Sequence, residues 1–164
     1  MVAAMNSLFL QALLAFLALP GMVAYVIPWL IARGEARASY DAVGILLLAA
    51  GTLLLLWCVR EFYVAGKGTL APWTPPRHLV VSGLYRYSRN PMYVAVSVVL
   101  AGWALTFHST ALALYAAAVV TAFHLRIVLG EEPWLARTHG AAWATYTARV
   151  PRWIGRVRHP TVDR

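Results

Sequence analysis

The sequence predicts an all-α integral membrane protein with about four transmembrane helices. Of its 164 residues, 61% are hydrophobic and only 12% are charged, which is too apolar for an ordinary soluble domain. Four apolar runs approach the length of about 20 residues that a helix needs to cross about 30 Å of hydrocarbon. Most arginines flank these runs instead of interrupting them. We therefore expect one membrane domain over residues 1–164.

The first apolar run covers residues 8–31, and Pro20-Gly21 is expected to kink it. The run is too long for the hydrophobic region of a secretory signal, and no basic segment precedes it, so we interpret it as a retained helix. Each of the remaining runs is a further predicted transmembrane helix. They cover residues 42–59, 91–107 and 110–129.

The orientation in the membrane follows from the arginines. Only His108 and Ser109 separate the last two runs, which predicts a tight helical hairpin. Segments 60–90 and 130–164 carry five and six basic residues, and the positive-inside rule predicts that both are cytoplasmic. The arginine-rich tail after Pro151 is expected to be peripheral. The lack of a targeting signal fits a multi-pass protein of a bacterial inner membrane, with the endoplasmic reticulum as the alternative.

The net charge of +8 does not indicate a nucleic-acid partner, because the arginines border hydrophobic segments and suit the membrane surface better. Membrane lipids are the expected partners, and the oligomeric state is left open. Cys58 is the single cysteine, so neither an internal disulfide nor a cysteine metal site is possible within the chain. His78 has no second ligand at metal spacing, and no metal is expected.

Asn90-Pro91 is a helix-start signal, because Asn is a favoured N-cap and Pro is favoured at the first helical position. Capping alone accounts for this pair. The N–H groups of a helix N-terminus also suit the carboxylate of a small ligand, and both interpretations hold together. Gly83 is similarly either a simple turn glycine or a point where a ligand approaches the backbone.

Glu131 and Glu132 form the only acidic doublet, at the end of the last apolar run. An ionisable side chain there costs free energy unless it is solvated, paired or used. Adjacent helical positions diverge by about 100°, so we expect only one of the two to enter a shared site. Arg126 precedes them on the same helix and suits either lipid phosphates or an anionic substrate.

Residues 78–93, HLVVSGLYRYSRNPMY, resemble the cofactor signature of the isoprenylcysteine carboxyl methyltransferase family and related membrane phospholipid methyltransferases. Downstream, the paired glutamates and the Val-Pro-Arg sequence at 150–152 resemble the family's C-terminal pattern. The resemblance spans about residues 78–154. Asn90 stands where eukaryotic members have His, which weakens the case for a prenylcysteine enzyme, and Gly155 stands where many members have Pro.

The resemblance implies a membrane methyltransferase that uses S-adenosyl-L-methionine, with a cytoplasmic cofactor pocket closed by a C-terminal helical segment. The implied acceptor is lipophilic: a prenylcysteine-like carboxylate, a thiol or a lipid amine. Arg126 resembles the family's substrate-orienting arginine, and no catalytic residue is assigned. The implied cofactor contacts are His78, Leu79, Val80, Val81, Gly83, Tyr85, Arg89, Asn90, Pro91, Met92, Tyr93, Glu131 and Glu132.

Two other functions compete with this hypothesis. One is an NADPH-dependent membrane reductase of the sterol-reductase type, whose C-terminal half resembles this fold. The chain shows no evident site for such a phosphate-rich cofactor. The other is a non-enzymatic membrane module, in which the polar blocks are interfacial anchors only. The ordered Gly, Tyr, Asn-Pro and Glu elements argue against it.

Overall fold

The computed structural model describes residues 17–34, 41–64, 79 and 81–155, and its regular structure is entirely helical. The all-α prediction is therefore confirmed over these ranges. A 3₁₀ turn covers Gly83–Arg86, and a π-helical turn, Ile127–Glu131, joins the last two helices without a break. The helices are α1 (π-helical over Leu17–Val26, α-helical over Ile27–Ala32), α2 (Ala42–Val64), α3 (Pro91–Phe107), α4 (Thr110–Arg126) and α5 (Glu132–Arg149).

Within the described ranges, two stretches are long and apolar enough to cross a membrane, Ala42–Glu61 and the continuous helix Thr110–Arg149. Pro20–Ala32 and Pro91–Phe107 are shorter apolar helices. The count of four transmembrane helices thus remains a prediction. The predicted span 110–129 ends within the π-helical turn that precedes α5, and the sequence of α5 is much more polar than that of α4.

The connection between α3 and α4 is a two-residue turn. His108 ends α3 in the left-handed conformation, with φ of 48°. Ser109 then caps α4, because its side-chain oxygen accepts a hydrogen bond from the Leu112 N–H at 3.2 Å. At the same end of the bundle, Asp41 Oδ1 accepts from the Gly44 N–H at 3.0 Å at the start of α2. Short polar side chains therefore begin both helices.

Glycines let the backbones of α2 and α3 approach each other closely. A Cβ atom on Gly51 would lie 2.8 Å from the backbone nitrogen of Val99, and one on Gly102 would lie 2.7 Å from that of Leu48. Small residues at helix contacts are typical of membrane bundles, where van der Waals packing drives association. The buried core beside this contact consists of Ala24, Leu55, Ala95, Val96, Val99 and Leu100.

Helix α1 is joined to α3 and α4 by side chains that donate hydrogen bonds to carbonyl groups lacking a backbone N–H partner. Pro28 has no N–H to give to the carbonyl groups of Val23 or Ala24 in the preceding turn. Tyr115 of α4 donates its hydroxyl to the Val23 carbonyl at 3.0 Å, and Trp103 of α3 donates its indole N–H to the Ala24 carbonyl at 3.0 Å. Such replacement is needed in hydrocarbon, where no water can satisfy a free carbonyl.

Successive helices α2, α3 and α4 run in opposite directions, which gathers three polar segments at one end of the bundle. We call this the polar end and define it as Glu61 at the end of α2, segment 81–93 before and within the start of α3, and segment 126–155. The π-helical turn ends two residues before Pro133, whose missing N–H disfavours regular α-helical bonding to that turn. Gly140, with φ of 47° and ψ of −118°, interrupts α5.

Replacing Gly51 by Ala is expected to destabilise the fold by about 1–3 kcal/mol, because the new methyl group would overlap the α3 backbone, which cannot rotate away. Thermal unfolding in detergent micelles measures the effect. Gly130→Ala is the matched control, since a Cβ there meets no atom within 4 Å. Equal unfolding temperatures for the two variants would contradict the close contact of α2 and α3.

Candidate functional site

Segment 88–90 is tied to the C-terminal segment by three hydrogen bonds. The Arg89 N–H donates to the Pro151 carbonyl at 2.9 Å. The carbonyl of Arg152 accepts from Asn90 Nδ2 at 3.0 Å and from Ser88 Oγ at 3.4 Å. Ser88 is buried and also accepts from the Asn90 N–H at 3.1 Å. Two stretches more than 60 residues apart in sequence are thus held against each other at the polar end.

Glu132 is the centre of a partly buried ion-pair network. Arg152 binds it with two hydrogen bonds, Nε to Oε1 at 2.9 Å and Nη2 to Oε2 at 2.7 Å. Arg89 Nη1 approaches Oε1 at 2.9 Å, and the Arg89 guanidinium lies over the Trp143 ring at 5.6 Å. Burial by itself raises the pKa of Glu132, but the Arg152 hydrogen bond and the charges of Arg89 and Arg152 outweigh it and lower that pKa.

Glu131 points to a different set of partners. Its Oε1 accepts from the Tyr93 hydroxyl at 2.5 Å and from Arg126 Nε at 2.7 Å. The Phe123 ring packs on Tyr93 with centroids 4.4 Å apart. Within the described part of the chain, Oε2 of Glu131 receives no hydrogen bond, and about a third of this side chain is exposed. Unlike Glu132, Glu131 therefore has one oxygen that no described residue binds.

The turn before α3 is supported from two sides. Gly83 has φ of 55°, a left-handed conformation that favours glycine, and it lies against the side chain of Glu61. Tyr85 is buried, and its carbonyl accepts a hydrogen bond from the Tyr146 hydroxyl at 2.7 Å. Burial raises the pKa of Tyr146, so this hydroxyl stays protonated and able to donate. Helix α5 and the end of α2 thus hold the turn between them.

The other residues that the resemblance implies as cofactor contacts lie in different surroundings. His78 and Val80 lie outside the described residues. Leu79 packs against a cluster formed by Trp143, Tyr146 and Val150. Val81 is 46% exposed, Pro91 is buried at the start of α3, and Met92 packs against the hydrophobic core.

Two sequence expectations are wrong in detail. Helix α3 does begin at Pro91, but the Asn90 side chain makes no capping hydrogen bond and binds the Arg152 carbonyl instead. The tail after Pro151 is not peripheral at its start, because Arg152 is the bidentate partner of Glu132. The Asn90 side chain binds a backbone carbonyl 62 residues away instead of capping its own helix. Rules based on neighbouring residues do not predict such a contact.

Sequence reasoning assigned no role in the site to Ser88, Tyr146, Arg152 or Glu61. Glu61 carried a usable signal: like the acidic doublet, it is an ionisable residue at the end of an apolar run. Ser88 and Tyr146 lie within the stretches that carry the resemblance, but no local rule predicts their contacts, since their partners are backbone carbonyls distant in sequence.

Comparison with known proteins supports the resemblance. The sequence model of a family described as phospholipid methyltransferase matches residues 40–142, well over half of the chain. The match runs from the start of α2 into α5 and includes Tyr93, Arg126 and the paired glutamates. It ends before Tyr146 and Arg152. No curated protein and no solved structure matches the chain.

Acid is expected to remove the stabilisation that Glu132 provides. Because the folded-state pKa of Glu132 is lowered, its contribution is complete above the unfolded value of about 4.3 and is lost as pH falls through the lower folded value. Thermal unfolding of wild type and Glu132→Gln, compared at a series of pH values, should show a constant difference from pH 7 to about pH 5 and a shrinking one below about pH 4. A difference that grows in acid would contradict the ion-pair network.

Proposed function

The chain belongs to the phospholipid methyltransferase family, and we propose that it transfers a methyl group from S-adenosyl-L-methionine to a lipophilic acceptor at its polar end. The hydrogen bond between Tyr93 and Glu131 carries this proposal. It joins the two blocks, 38 residues apart, that the resemblance assigns to cofactor contacts. Both residues lie within the family match.

The side chains at the polar end fit the chemical groups of this cofactor. Oε2 of Glu131 is suited to an ammonium group, since the described residues give it no donor. Arg89 Nε is buried and has no acceptor among the described residues, so a carboxylate would satisfy it. The Tyr93 and Phe123 rings suit a sulfonium or an adenine ring. When bound, the cofactor supplies a methyl group on a positively charged sulfur.

The main task of the protein is alignment, because a well-oriented methyl transfer gains most from positioning. A carboxylate or thiolate acceptor is already nucleophilic and needs no base. A lipid amine must first lose a proton, and no residue is assigned as that base, because the proposal gives Oε2 of Glu131 to the ammonium group of the cofactor. The family description makes a phospholipid amine the first acceptor class to test.

The proposed setting is a bacterial inner membrane, with the polar end in the cytoplasm and the acceptor entering between helices from the bilayer. The arginines of segments 60–90 and 130–164 support this orientation. Membrane lipids are the only partners that this proposal requires.

Calorimetric titration of the detergent-purified protein with S-adenosylhomocysteine, and separately with NADPH, tests the proposed function. Wild type is expected to bind S-adenosylhomocysteine saturably. Tyr93→Phe removes the hydrogen bond to Glu131, and Glu131→Gln removes the negative charge that would face the ammonium group of the cofactor. Each variant is therefore expected to bind at least about tenfold more weakly.

Asp41→Asn is the matched control, since it makes the same carboxyl-to-amide change at the opposite end of the bundle and should bind like wild type. Binding of NADPH alone would overturn the proposal in favour of a reductase. No binding of either ligand would favour a non-enzymatic module.

Labelling of single introduced cysteines tests the orientation. Thr110 at the start of α4 and Thr145 in α5 are both exposed and lie at opposite ends of the bundle. Cys58 is fully buried, so it should contribute little background. A membrane-impermeant maleimide should label Thr110→Cys in spheroplasts and Thr145→Cys only in inverted vesicles. The opposite pattern would mean that the polar end faces away from the cytoplasm.

A further inference from the structure

Glu61 is a carboxylate in an unfavourable position. It lies in the last turn of α2, at the end of an apolar stretch where an ionised side chain costs free energy. The carboxylate also lies near the negative end of the helix dipole, which adds to the cost. Neither the resemblance nor the proposed function uses this residue. Its placement therefore calls for a local explanation.

The contacts of Glu61 are unequal. Ser82 Oγ donates to its Oε2 at 2.9 Å, and this is the short bond. Trp57 Nε1 and Arg60 Nη1 reach Oε1 only at 3.4 and 3.3 Å. The Arg60 side chain is 69% exposed, whereas that of Glu61 is 13% exposed, so water screens the ion pair from the arginine side. Among the described residues, Glu61 thus makes its strongest contact with the turn before α3.

The space around Gly83 shows how closely the Glu61 side chain approaches this turn. A Cβ atom on Gly83 would lie 2.7 Å from the carboxyl carbon of Glu61 and 2.9 Å from its Cγ. The Glu61 side chain therefore lies directly against the backbone of Gly83. Ser82 occupies the N-cap position of the 3₁₀ turn but does not cap it, because its hydroxyl points to Glu61.

We propose that Glu61 is a positioning residue for cofactor binding, which rests on the proposed function. By holding Ser82 and packing on Gly83, it fixes the 3₁₀ turn Gly83–Arg86 against the end of α2. That turn leads directly into segment 88–93, which carries Arg89 and Tyr93. Glu61 itself need not touch the cofactor.

The mechanism depends on an acceptor oxygen at Glu61. An amide oxygen can still accept from Ser82, so Glu61→Gln should keep the turn in place, with a bond weaker than a charge-assisted one. Glu61→Ala removes the acceptor, and Ser82→Ala removes the donor from the other side. Since both alanine variants delete the same hydrogen bond, their effects should not add in the double variant.

Titration with S-adenosylhomocysteine, together with the thermal unfolding temperature of each variant, tests the inference. Glu61→Ala and Ser82→Ala should each weaken binding about tenfold at nearly unchanged unfolding temperature. The double variant should bind no more weakly than Glu61→Ala alone, and Glu61→Gln should stay within about threefold of wild type. Ser82→Ala keeps the test decisive if Glu61→Ala does not fold, because it alters only the loop side of the bond.

Three results would overturn the inference. The first is unchanged binding by Glu61→Ala or, where that variant does not fold, by Ser82→Ala. The others are additive losses of binding in the double variant and a Glu61→Gln variant that binds as weakly as Glu61→Ala. The last would show that the charge matters in place of the hydrogen bond. If wild type itself does not bind S-adenosylhomocysteine, the proposed function fails first. Since that outcome is read from wild type and the others from the variants, the two failures are distinguishable.

Discussion

Close contact between the backbones of α2 and α3 is the constraint on which the polar end depends. The contact exists because glycines replace side chains at the crossing, with Gly51 and Gly102 on opposite helices. Two antiparallel helices held this tightly bring the last turn of α2 to the beginning of α3. Glu61 consequently meets Ser82 and Gly83, although 21 residues separate Glu61 from Ser82. A wider helix spacing would separate this carboxylate from the Ser82 hydroxyl, its shortest hydrogen-bond donor among the described residues.

The acidic doublet shows how one local motif can take two roles. The side chains of Glu131 and Glu132 leave the helix in different directions. Glu132 meets two guanidinium groups and joins α5, the turn before α3 and the C-terminal segment. Glu131 meets Tyr93 and Arg126 through one oxygen only. Two guanidinium groups saturate the carboxylate of Glu132, which suits a structural connection, whereas about a third of the Glu131 side chain is exposed.

Much of the helical architecture could be predicted from hydrophobic runs and turn signals, since these act over a few residues. Pro91 at the start of α3 and the two-residue turn at His108-Ser109 are examples. The contact partners could not be predicted in the same way. Asn90 was expected to cap its own helix and binds the Arg152 carbonyl instead, and Arg152 was expected in a peripheral tail. Both errors arise because a partner distant in sequence outcompeted a local one.

The sequence by itself determined the helical class, the apolar character of the helices and the family, because composition, periodicity and motif order are properties of the chain alone. Only the tertiary structure decided which glutamate is saturated and which keeps an open oxygen. Only the tertiary structure also placed the Glu61 side chain against Gly83 and the Tyr146 hydroxyl against the Tyr85 carbonyl. The physical reason is that hydrogen bonds and ion pairs depend on distances of about 3 Å between atoms, and helix packing sets those distances.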